Sequence, residues 1–381
     1  MHTIEPNHDG FFSFDNDSSQ LTFNNVSLFR NQISPFFVEG SEFKFNASKI
    51  MVDGYYGLGY DAKINYPIGI YGRTNDIPAY SGDALANYGF LRTPFRRIPR
   101  FLVHNRKELD AFLGLVQSAD RSLRSLFRGQ VREYYLRRDP ATLSILYDDP
   151  NALEPSLLPS ASRAGIQLED IAPEWSTLVQ LFIYHWVTDI KSYLSQKDAT
   201  RIGEELTRLV SSYQHWVFLL SLAQHYGLPS AGLDVTDKID VALFFALHEF
   251  STDPNNPAHA LVKRRGPTGE PSVIYYFADA EGFFIDFQKL HPFGFPLARP
   301  DAQNANFLHT GWGLASNAIA QRLFMAIYLD PAGDWGPLPS TSELFPDPAS
   351  DHFGRFLGNN LDKGSLMFRK FTEKFYWAYD R

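Results

Sequence analysis

A short polar stretch in the middle of the chain constrains the fold more than any other feature. It consists of residues 224–229 (Gln-His-Tyr-Gly-Leu-Pro), residues 233–236 (Leu-Asp-Val-Thr) and the apolar run 241–246. Gly227 and Pro229 predict the end of one helix, and Asp237 is placed to cap the next. We therefore expect Asp234 and Thr236 in a short connection between two packed helices, where binding and catalytic side chains are often found.

The composition indicates a chain that can bury a sizeable core. It has 381 residues, of which 44% are hydrophobic and 15% aromatic. This length favours one large domain with an extension, or two domains. Residues 1–98 are rich in Asn, Gly, Phe and Tyr and alternate in short runs such as Glu42–Phe45. We predict a β-rich or irregular N-terminal extension over residues 1–98 and a second domain over residues 99–381.

The second segment mixes helical and strand-like patterns. A helix is predicted from Arg106, behind a cap at Asn105, by apolar residues at spacings of three and four: Leu109, Phe112, Leu113 and Val116. A loop is predicted for Asp139–Ala164 and a mainly helical region for Pro173–Tyr226, with a last apolar stripe formed by Leu206, Leu209, Val210, Tyr213, Val217 and Leu220. Strand-like runs occupy residues 127–130, 272–277 and 325–329. The fold class predicted is α+β, a mixed β-sheet core with packed helices.

The charge is unevenly distributed along the chain. The formal net charge is −8, which argues against indiscriminate binding of nucleic acid. Between Arg92 and Arg138, however, twelve basic residues stand against four acidic ones. If one helix ran through Arg121, Arg124, Arg128 and Arg132, these four would share a face. The segment is either a surface for phosphate, nucleic acid or an acidic partner, or an ordinary solvated face.

Several classes of protein are excluded or disfavoured. The chain contains no cysteine, which removes disulfides, thiolate nucleophiles and cysteine-based zinc sites. There is no His-Glu-x-x-His pair, Gly-x-Ser-x-Gly elbow or Walker-type phosphate loop, so zincin, α/β-hydrolase and P-loop chemistry are unsupported, and no metal site is predicted. No charged-then-apolar leader and no window of about 18 apolar residues occurs. We expect a soluble, unexported cytoplasmic protein without a membrane partner.

Five separated motifs resemble the FRG domain family. They are Phe127-Arg128-Gly129-Gln130, Ser156-Leu157-Leu158-Pro159-Ser160 ending at Arg163, the block 224–246, the spaced Arg299, Gln303 and Phe307, and Glu343-Leu344-Phe345-Pro346-Asp347. The likeness spans Arg100 to Leu357.

The chain departs from the family pattern at Ser230, Ala231 and Gly232, where Thr, Arg and Leu are usual, at Val235 in place of Trp and at Ala305 in place of Gly. The guanidinium missing at position 231 removes up to five hydrogen-bond donors.

The first motif is also similar to the Arg-Gly strand that opens the ADP-ribosyltransferase fold. This resemblance implies that Arg128 would hold phosphate or ribose, that Thr236 or Tyr226 would supply a hydroxyl near the nicotinamide end, and that Gln303 would take the third position. An amide does not titrate near neutral pH, so proton abstraction would need His225, Asp234 or the substrate. The candidate catalytic residues are His225, Asp234, Thr236 and Gln303; the candidate nucleotide-binding residues are Arg128, Gln130, Tyr226 and Arg299. NAD is the candidate substrate, and the sequence does not identify a cofactor.

Each of these residues also has a structural interpretation. Arg128 and Asp234 would form a buried ion pair, His225 would interact with a helix C-terminus, and Asp234 and Thr236 would act as loop and cap residues. Tyr226 and Phe307 would be core aromatics. Two functions therefore remain open: an enzyme that acts on a nucleotide or another phosphate-bearing ligand, and a non-catalytic recognition module that binds an acidic partner or nucleic acid through the basic segment.

Overall fold

The structure, a computed structural model, describes part of the chain in detail. The described residues are 11–15, 49–53, 55–56, 59–61, 87–94, 96–119, 124–138, 140–163, 175–177, 179–184, 200–201, 204, 213–227, 229–253, 256–278, 284–285, 297–309, 316–347, 350–360 and 377–380. Among the residues of the predicted helical stripe, Leu206, Leu209 and Val210 lie outside this part of the chain, as does Arg121 of the basic segment.

The elements follow one another in a mixed order. The strands are β1 (Phe11–Asp15), β2 (Lys49–Asp53), β3 (Gly59–Asp61), β4 (Phe90–Thr93), β5 (Arg96–Val103), β6 (Ser125–Gln130), β7 (Gly232–Thr236), β8 (His248–Asp253), β9 (Asn256–Arg264), β10 (Ser272–Ala278), β11 (Phe284–Ile285), β12 (Ala305–His309), β13 (Leu323–Leu329) and β14 (Trp377–Asp380). The α-helices are α1 (Arg106–Ala119), α2 (Pro140–Tyr147), α3 (Ser160–Arg163), α4 (Tyr213–His225), α5 (Ile239–Leu247), α6 (Ala298–Ala302), α7 (Thr341–Leu344) and α8 (His352–Asn360), and Ala318–Arg322 form a 3₁₀ helix. Residues 175–177 and 179–184 are also helical.

An eight-stranded sheet forms the centre of the fold. Its strand order is β11-β12-β7-β6-β10-β13-β5-β4, and all neighbours are antiparallel except β13 and β5, which are parallel. Two three-stranded sheets, β1-β2-β3 and β14-β9-β8, accompany it. The predicted α+β class with a mixed sheet and packed helices is confirmed. The division of the chain into residues 1–98 and 99–381 stays a prediction, and β5 crosses its boundary.

Both faces of the large sheet are buried. Along β10, Val273, Tyr275 and Phe277 face one apolar cluster with α2, whereas Ile274 and Tyr276 face a second cluster with α1 and α5. This alternation follows from the two-residue period of a strand, and burial on both faces explains why apolar and aromatic residues follow one another along β10, after its first residue, and along β13. The strands predicted at residues 127–130, 272–277 and 325–329 are all present. The predicted cap of α1 is also present, since the Glu108 N–H donates to Asn105 Oδ1 at 3.0 Å.

Three sequence predictions need correction. The loop predicted for residues 139–164 contains α2 and α3, because Pro140 suits a first helical position and Leu143, Leu146 and Tyr147 recur at helical spacing. The connection that carries Asp234 and Thr236 is strand β7, whose alternating Leu233 and Val235 reach the core.

The third correction and the outcome of one conditional alternative concern charged residues. Asp237 does not cap α5, which begins at Ile239 after Lys238; instead, the Lys238 N–H donates to Thr236 Oγ1 at 3.1 Å. No single helix carries the arginines of the basic segment, because α1 ends at Ala119 and β6 begins at Ser125. Arg124, Arg128 and Arg132 therefore do not share a helical face.

Candidate functional site

A cleft opens where the two central strands β6 and β7 separate. Between these fully described strands, one pair of residues is in register, Phe127 with Thr236. Beyond that pair β6 continues along β10, and β7 continues along β12. The cleft has a volume of about 380 Å³. Its lining includes Arg128, Gly129, His225, Asp234, Thr236 and Gln303, residues that are far apart in sequence.

Gly129 allows α5 to approach the strand beside the cleft. A Cβ atom at this position would lie 1.8 Å from the carbonyl oxygen of Ala242 and 2.8 Å from the backbone nitrogen of Ala246. No side chain fits there, so the Phe-Arg-Gly motif requires glycine for packing. The close approach fixes α5 against β6 and places Arg128 at the edge of the cleft.

Arg128 bridges the two separating strands. Its Nη1 donates a 2.8 Å hydrogen bond to the backbone carbonyl oxygen of Asp234. Burial lowers the pKa of Arg128, the carboxylate of Asp234 opposes that effect, and the positive charge of Arg163 adds to it. Because the contact is with the carbonyl group, Arg128 holds the strands while the Asp234 carboxylate stays available to the cleft. The ion pair proposed from the sequence is thus a hydrogen bond to the backbone, supplemented by a charge interaction.

Asp234 and His225 form the titratable pair of the cleft. His225 Nε2 lies 3.4 Å from Asp234 Oδ1, and the Asp234 side chain is 29% exposed whereas that of His225 is 1% exposed. Burial raises the pKa of Asp234, and the charges of His225 and Arg128 oppose this. Burial lowers the pKa of His225, and Asp234 opposes it. Both shifts favour the uncharged forms, so the pair combines a carboxyl group that faces the cleft with a neutral imidazole behind it.

Thr236 and Gln303 connect β7 to the far wall. Thr236 Oγ1 donates to the backbone oxygen of Gln303 at 3.0 Å and accepts from the Lys238 N–H. The Gln303 amide donates to the carbonyl oxygen of Leu344 at 3.0 Å, and hydrogen bonding between its side chain and the imidazole partly opposes the lowering of the His225 pKa. The hydroxyl of Thr236 is therefore engaged in holding the start of α5, and Gln303 positions the imidazole.

Tyr226, Arg299 and Gln130 do not line the cleft. The Tyr226 hydroxyl donates to Asp351 Oδ1 at 2.8 Å, and the Arg299 guanidinium lies over the Tyr226 ring at 4.6 Å. Arg299 Nη1 also donates to the carbonyl oxygen of His225 at 3.3 Å. Tyr226 and Arg299 are both buried. They form a packed cluster behind His225 that supports the end of α4, whereas Gln130 ends strand β6. Of the four residues predicted to bind a nucleotide, Arg128 reaches the cleft.

Two features of the lining were missed from the sequence. Arg163, at the end of α3, and Gln224 add polar groups, and an aromatic wall is formed by Phe245, Phe250 and Phe345. The rings of Phe245 and Phe250 stack at 5.8 Å with an interplanar angle of 18°. Arg163 is the last residue of one of the motifs that resemble the FRG domain family. Its place in that motif was the sequence signal that could have identified it as a residue of the site. The phenylalanines were indistinguishable from core residues because Phe245 lies in an apolar helix.

Many arginines of the basic segment have partners inside the protein. Arg96 and Arg100 contact Gln321 and Glu133, respectively. Arg138 forms a buried ion pair with Glu154 at 2.7 Å. Arg106 pairs with Asp110 and Asp240, and Arg124 with Asp237. These five arginines consequently contribute to contacts between elements of the described part of the chain.

Comparison with known proteins identifies one family. Residues 153–254 match the family model of the FRG domain, a range that includes α3, α4, β7 and α5 but not Arg128 or Gln303. No curated protein and no solved structure matches the chain. Within the described ranges, no cluster of three or more His, Cys, Asp or Glu side chains is placed to hold a metal ion. In the same part of the chain, no helix has the length and apolarity needed to cross a membrane.

Proposed function

We propose that this chain, which carries an FRG domain in residues 153–254, binds a nucleotide in the cleft between β6 and β7 and cleaves its glycosidic bond, with NAD as the candidate substrate. The observation that carries the proposal is the meeting of three groups in one cleft. Arg128, the partly exposed carboxyl group of Asp234 and the imidazole of His225 come from separate elements and converge where the central strands separate.

The lining of the cleft suits two parts of a nucleotide, its phosphate and its planar base. A guanidinium binds phosphate through parallel hydrogen bonds, and Arg128 is already held by its bond to the Asp234 carbonyl. The aromatic wall of Phe245, Phe250 and Phe345 offers surfaces for a planar ring. A volume of 380 Å³ lies at the small end of the range for ligand sites. The cleft therefore accommodates one part of a dinucleotide, and the rest would extend outside.

Asp234 is the candidate group for the chemistry. When the bond between the ribose carbon and the nicotinamide nitrogen breaks, the bonding electrons go to the already cationic ring, which leaves as neutral nicotinamide. No proton donor to the leaving group is needed. Positive charge develops on the ribose, and a carboxylate beside it is stabilising. Water then bonds to the ribose carbon and gives its proton to Asp234, whose raised pKa suits a base.

His225 and Gln303 position the carboxyl group of Asp234. Gln303 is an amide and cannot take the proton. Its hydrogen bonds to the Leu344 carbonyl and to His225 fix the imidazole 3.4 Å from the carboxyl group. We expect His225 to orient Asp234, whose side chain is 29% exposed and returns the proton to solvent before the next turnover.

The test is release of nicotinamide from NAD by the full chain, followed by chromatography. Asp234→Asn should lower turnover by about 100-fold or more, because it removes the base and leaves the side-chain shape unchanged. Asp237→Asn is the matched control, since Asp237 lies three residues further on, pairs with Arg124 and does not line the cleft. If the unaltered chain neither binds nor consumes NAD, the proposal is wrong.

The alternative, a non-catalytic module that recognises nucleic acid or an acidic partner through the basic segment, has less support. Arg96, Arg100, Arg106, Arg124 and Arg138 already contact groups within the protein. A thermal-shift comparison separates the two functions, because a ligand at 100 times its dissociation constant adds about 2.7 kcal/mol to the unfolding free energy. Stabilisation by short RNA or DNA together with none by NAD would favour the recognition module.

A further inference from the structure

Two arginines, one partly buried and one exposed, line the same cleft. Arg128 lies on the central strand β6 and is held by the Asp234 carbonyl. Arg163 lies at the end of α3, and its side chain is exposed to solvent. The ionisable side chains of the described residues that line the cleft are Arg128, Arg163, His225 and Asp234. With a neutral imidazole, two cations face one carboxyl group, so the lining carries a net positive charge.

The backbone that carries Arg163 is anchored at its first turn. Ser160 Oγ donates to Gln224 Oε1 at 2.9 Å and accepts from the Ser230 N–H at 2.9 Å. The Ala161 N–H donates to the Ser230 carbonyl oxygen at 3.2 Å. These bonds attach α3 to the end of α4 and to the segment before β7. The long side chain of Arg163 therefore starts from a fixed point beside the cleft, and its far end can adapt to a ligand.

The two guanidinium groups interact unfavourably in the absence of an anion. The charge of Arg163 lowers the pKa of Arg128, in the same direction as burial. Like charges near one cleft oppose each other, and the opposition is greater where water is partly excluded. A phosphate between two guanidiniums would replace this repulsion with charge-assisted hydrogen bonds on both sides.

We infer that Arg163 and Arg128 form a phosphate subsite in the cleft and that Arg163 is the residue that selects phosphate-bearing ligands. This inference deepens the proposed function and rests on it for the identity of the site. The ligand class is a nucleoside phosphate with its phosphate between the fixed guanidinium of Arg128 and the adaptable one of Arg163. Because Arg163 is exposed and Arg128 is partly buried and held by the Asp234 carbonyl, Arg163 would control entry while Arg128 sets the final position.

The experiment is isothermal titration of the full chain with AMP, adenosine and inorganic phosphate. Arg163→Ala should weaken the binding of AMP and of phosphate by about 10- to 100-fold and leave adenosine unchanged, because the lost bonds are charge-assisted. Arg163→Lys should recover part of the affinity, since it restores the charge without the planar fork. Arg132→Ala, at an exposed arginine that lies over the Tyr134 ring outside the cleft, is the matched control and should match the unaltered chain.

Two results would overturn the inference: AMP binding as tight in Arg163→Ala as in the unaltered chain, or equal affinity of the unaltered chain for adenosine and AMP. Neither result depends on turnover. Nicotinamide release by a chain that fails this test would leave the proposed reaction standing. Phosphate binding that needs Arg163, in a chain that does not consume NAD, would support the subsite and contradict the reaction.

Discussion

The Nη1 atom of Arg128 donates a 2.8 Å hydrogen bond to the backbone carbonyl oxygen of Asp234, 106 positions further along the chain. It does so where strands β6 and β7 have stopped pairing with each other, so a side chain takes over a contact that a ladder hydrogen bond would otherwise make. One residue thus links the two strands beside the cleft and also lines it. The structure and the proposed chemistry depend on the same contact.

Replacing Gly129 by alanine should destabilise the protein by about 3 kcal/mol or more. The added Cβ would overlap the Ala242 carbonyl, and neither β6 nor α5 can move without disturbing the core. Urea unfolding measures the change. Gly114→Ala, at an exposed position of α1, is the control, because nothing lies within 4 Å of the place that its Cβ would take; we expect it to be stabilising by up to about 1 kcal/mol. Equal stability of the two variants would contradict the close approach of α5 to β6.

Replacing Thr236 by valine should cost about 1–2 kcal/mol of unfolding free energy. The substitution preserves the shape of the side chain but removes the donor to the Gln303 carbonyl and the acceptor for the Lys238 N–H. Thr268→Val, in an exposed bend, should stay within about 0.5 kcal/mol of the unaltered chain. Chemical denaturation measures the unfolding free energy of both variants. An unchanged midpoint for Thr236→Val would show that the hydroxyl of Thr236 does not support α5.

Removing the buried partner of Arg138 should be strongly destabilising. Arg138 and Glu154 are 0% and 1% exposed, and Tyr147 also donates to Glu154 at 2.9 Å. Glu154→Gln leaves the guanidinium buried without a countercharge, at a cost of about 3–5 kcal/mol. Asp110→Asn breaks a half-exposed pair with Arg106 and should cost about 0.5 kcal/mol. Thermal unfolding of the two variants at one pH measures the difference, and similar melting temperatures would contradict it.

Two histidines should give opposite pH dependences of stability. Burial lowers the pKa of His225 below 6.5 in the folded protein. The contribution of the neutral imidazole to the unfolding free energy is therefore present above pH 6.5 and is lost as the pH falls through the folded pKa. A hydrogen bond to Asp330 raises the pKa of His104, whose contribution is present below pH 6.5 and is lost as the pH rises through the folded pKa.

The measurement is the unfolding free energy between pH 5 and 8. Acidification should reduce the stability of the unaltered chain relative to His225→Gln and increase it relative to His104→Gln. Parallel curves for the unaltered chain and His225→Gln would mean that the imidazole is not buried in the folded state.

Local periodicity was sufficient to predict α1 with its Asn105 cap, the end of α4 before Gly227, and strands β10 and β13. These elements are long or strongly apolar, so their own residues identify them. The motifs between Phe127 and Asp347 likewise indicated an FRG domain, which the family model confirms for residues 153–254.

Shorter elements were not predictable in the same way. Five residues from Gly232 to Thr236 are too few for their alternation to be distinguished from a loop, and they form a strand because β12 and β6 lie on either side. The eight residues of α2 were obscured by the prolines around them. Propensity is a weak guide at such lengths, and neighbouring strands or helices decide the outcome.

Residue types in the chain established which chemical groups were available: an arginine beside a glycine, a histidine, an aspartate and a set of phenylalanines. Their assembly into one cleft depended on strand order, which brings β6 beside β7 although about a hundred residues separate them. The packing of helices against the sheet places Tyr226 and Arg299 behind the cleft and Arg163 in its lining. The physical reason is that side-chain chemistry is a local property, whereas distance between side chains is decided by the packing of the whole sheet and its helices.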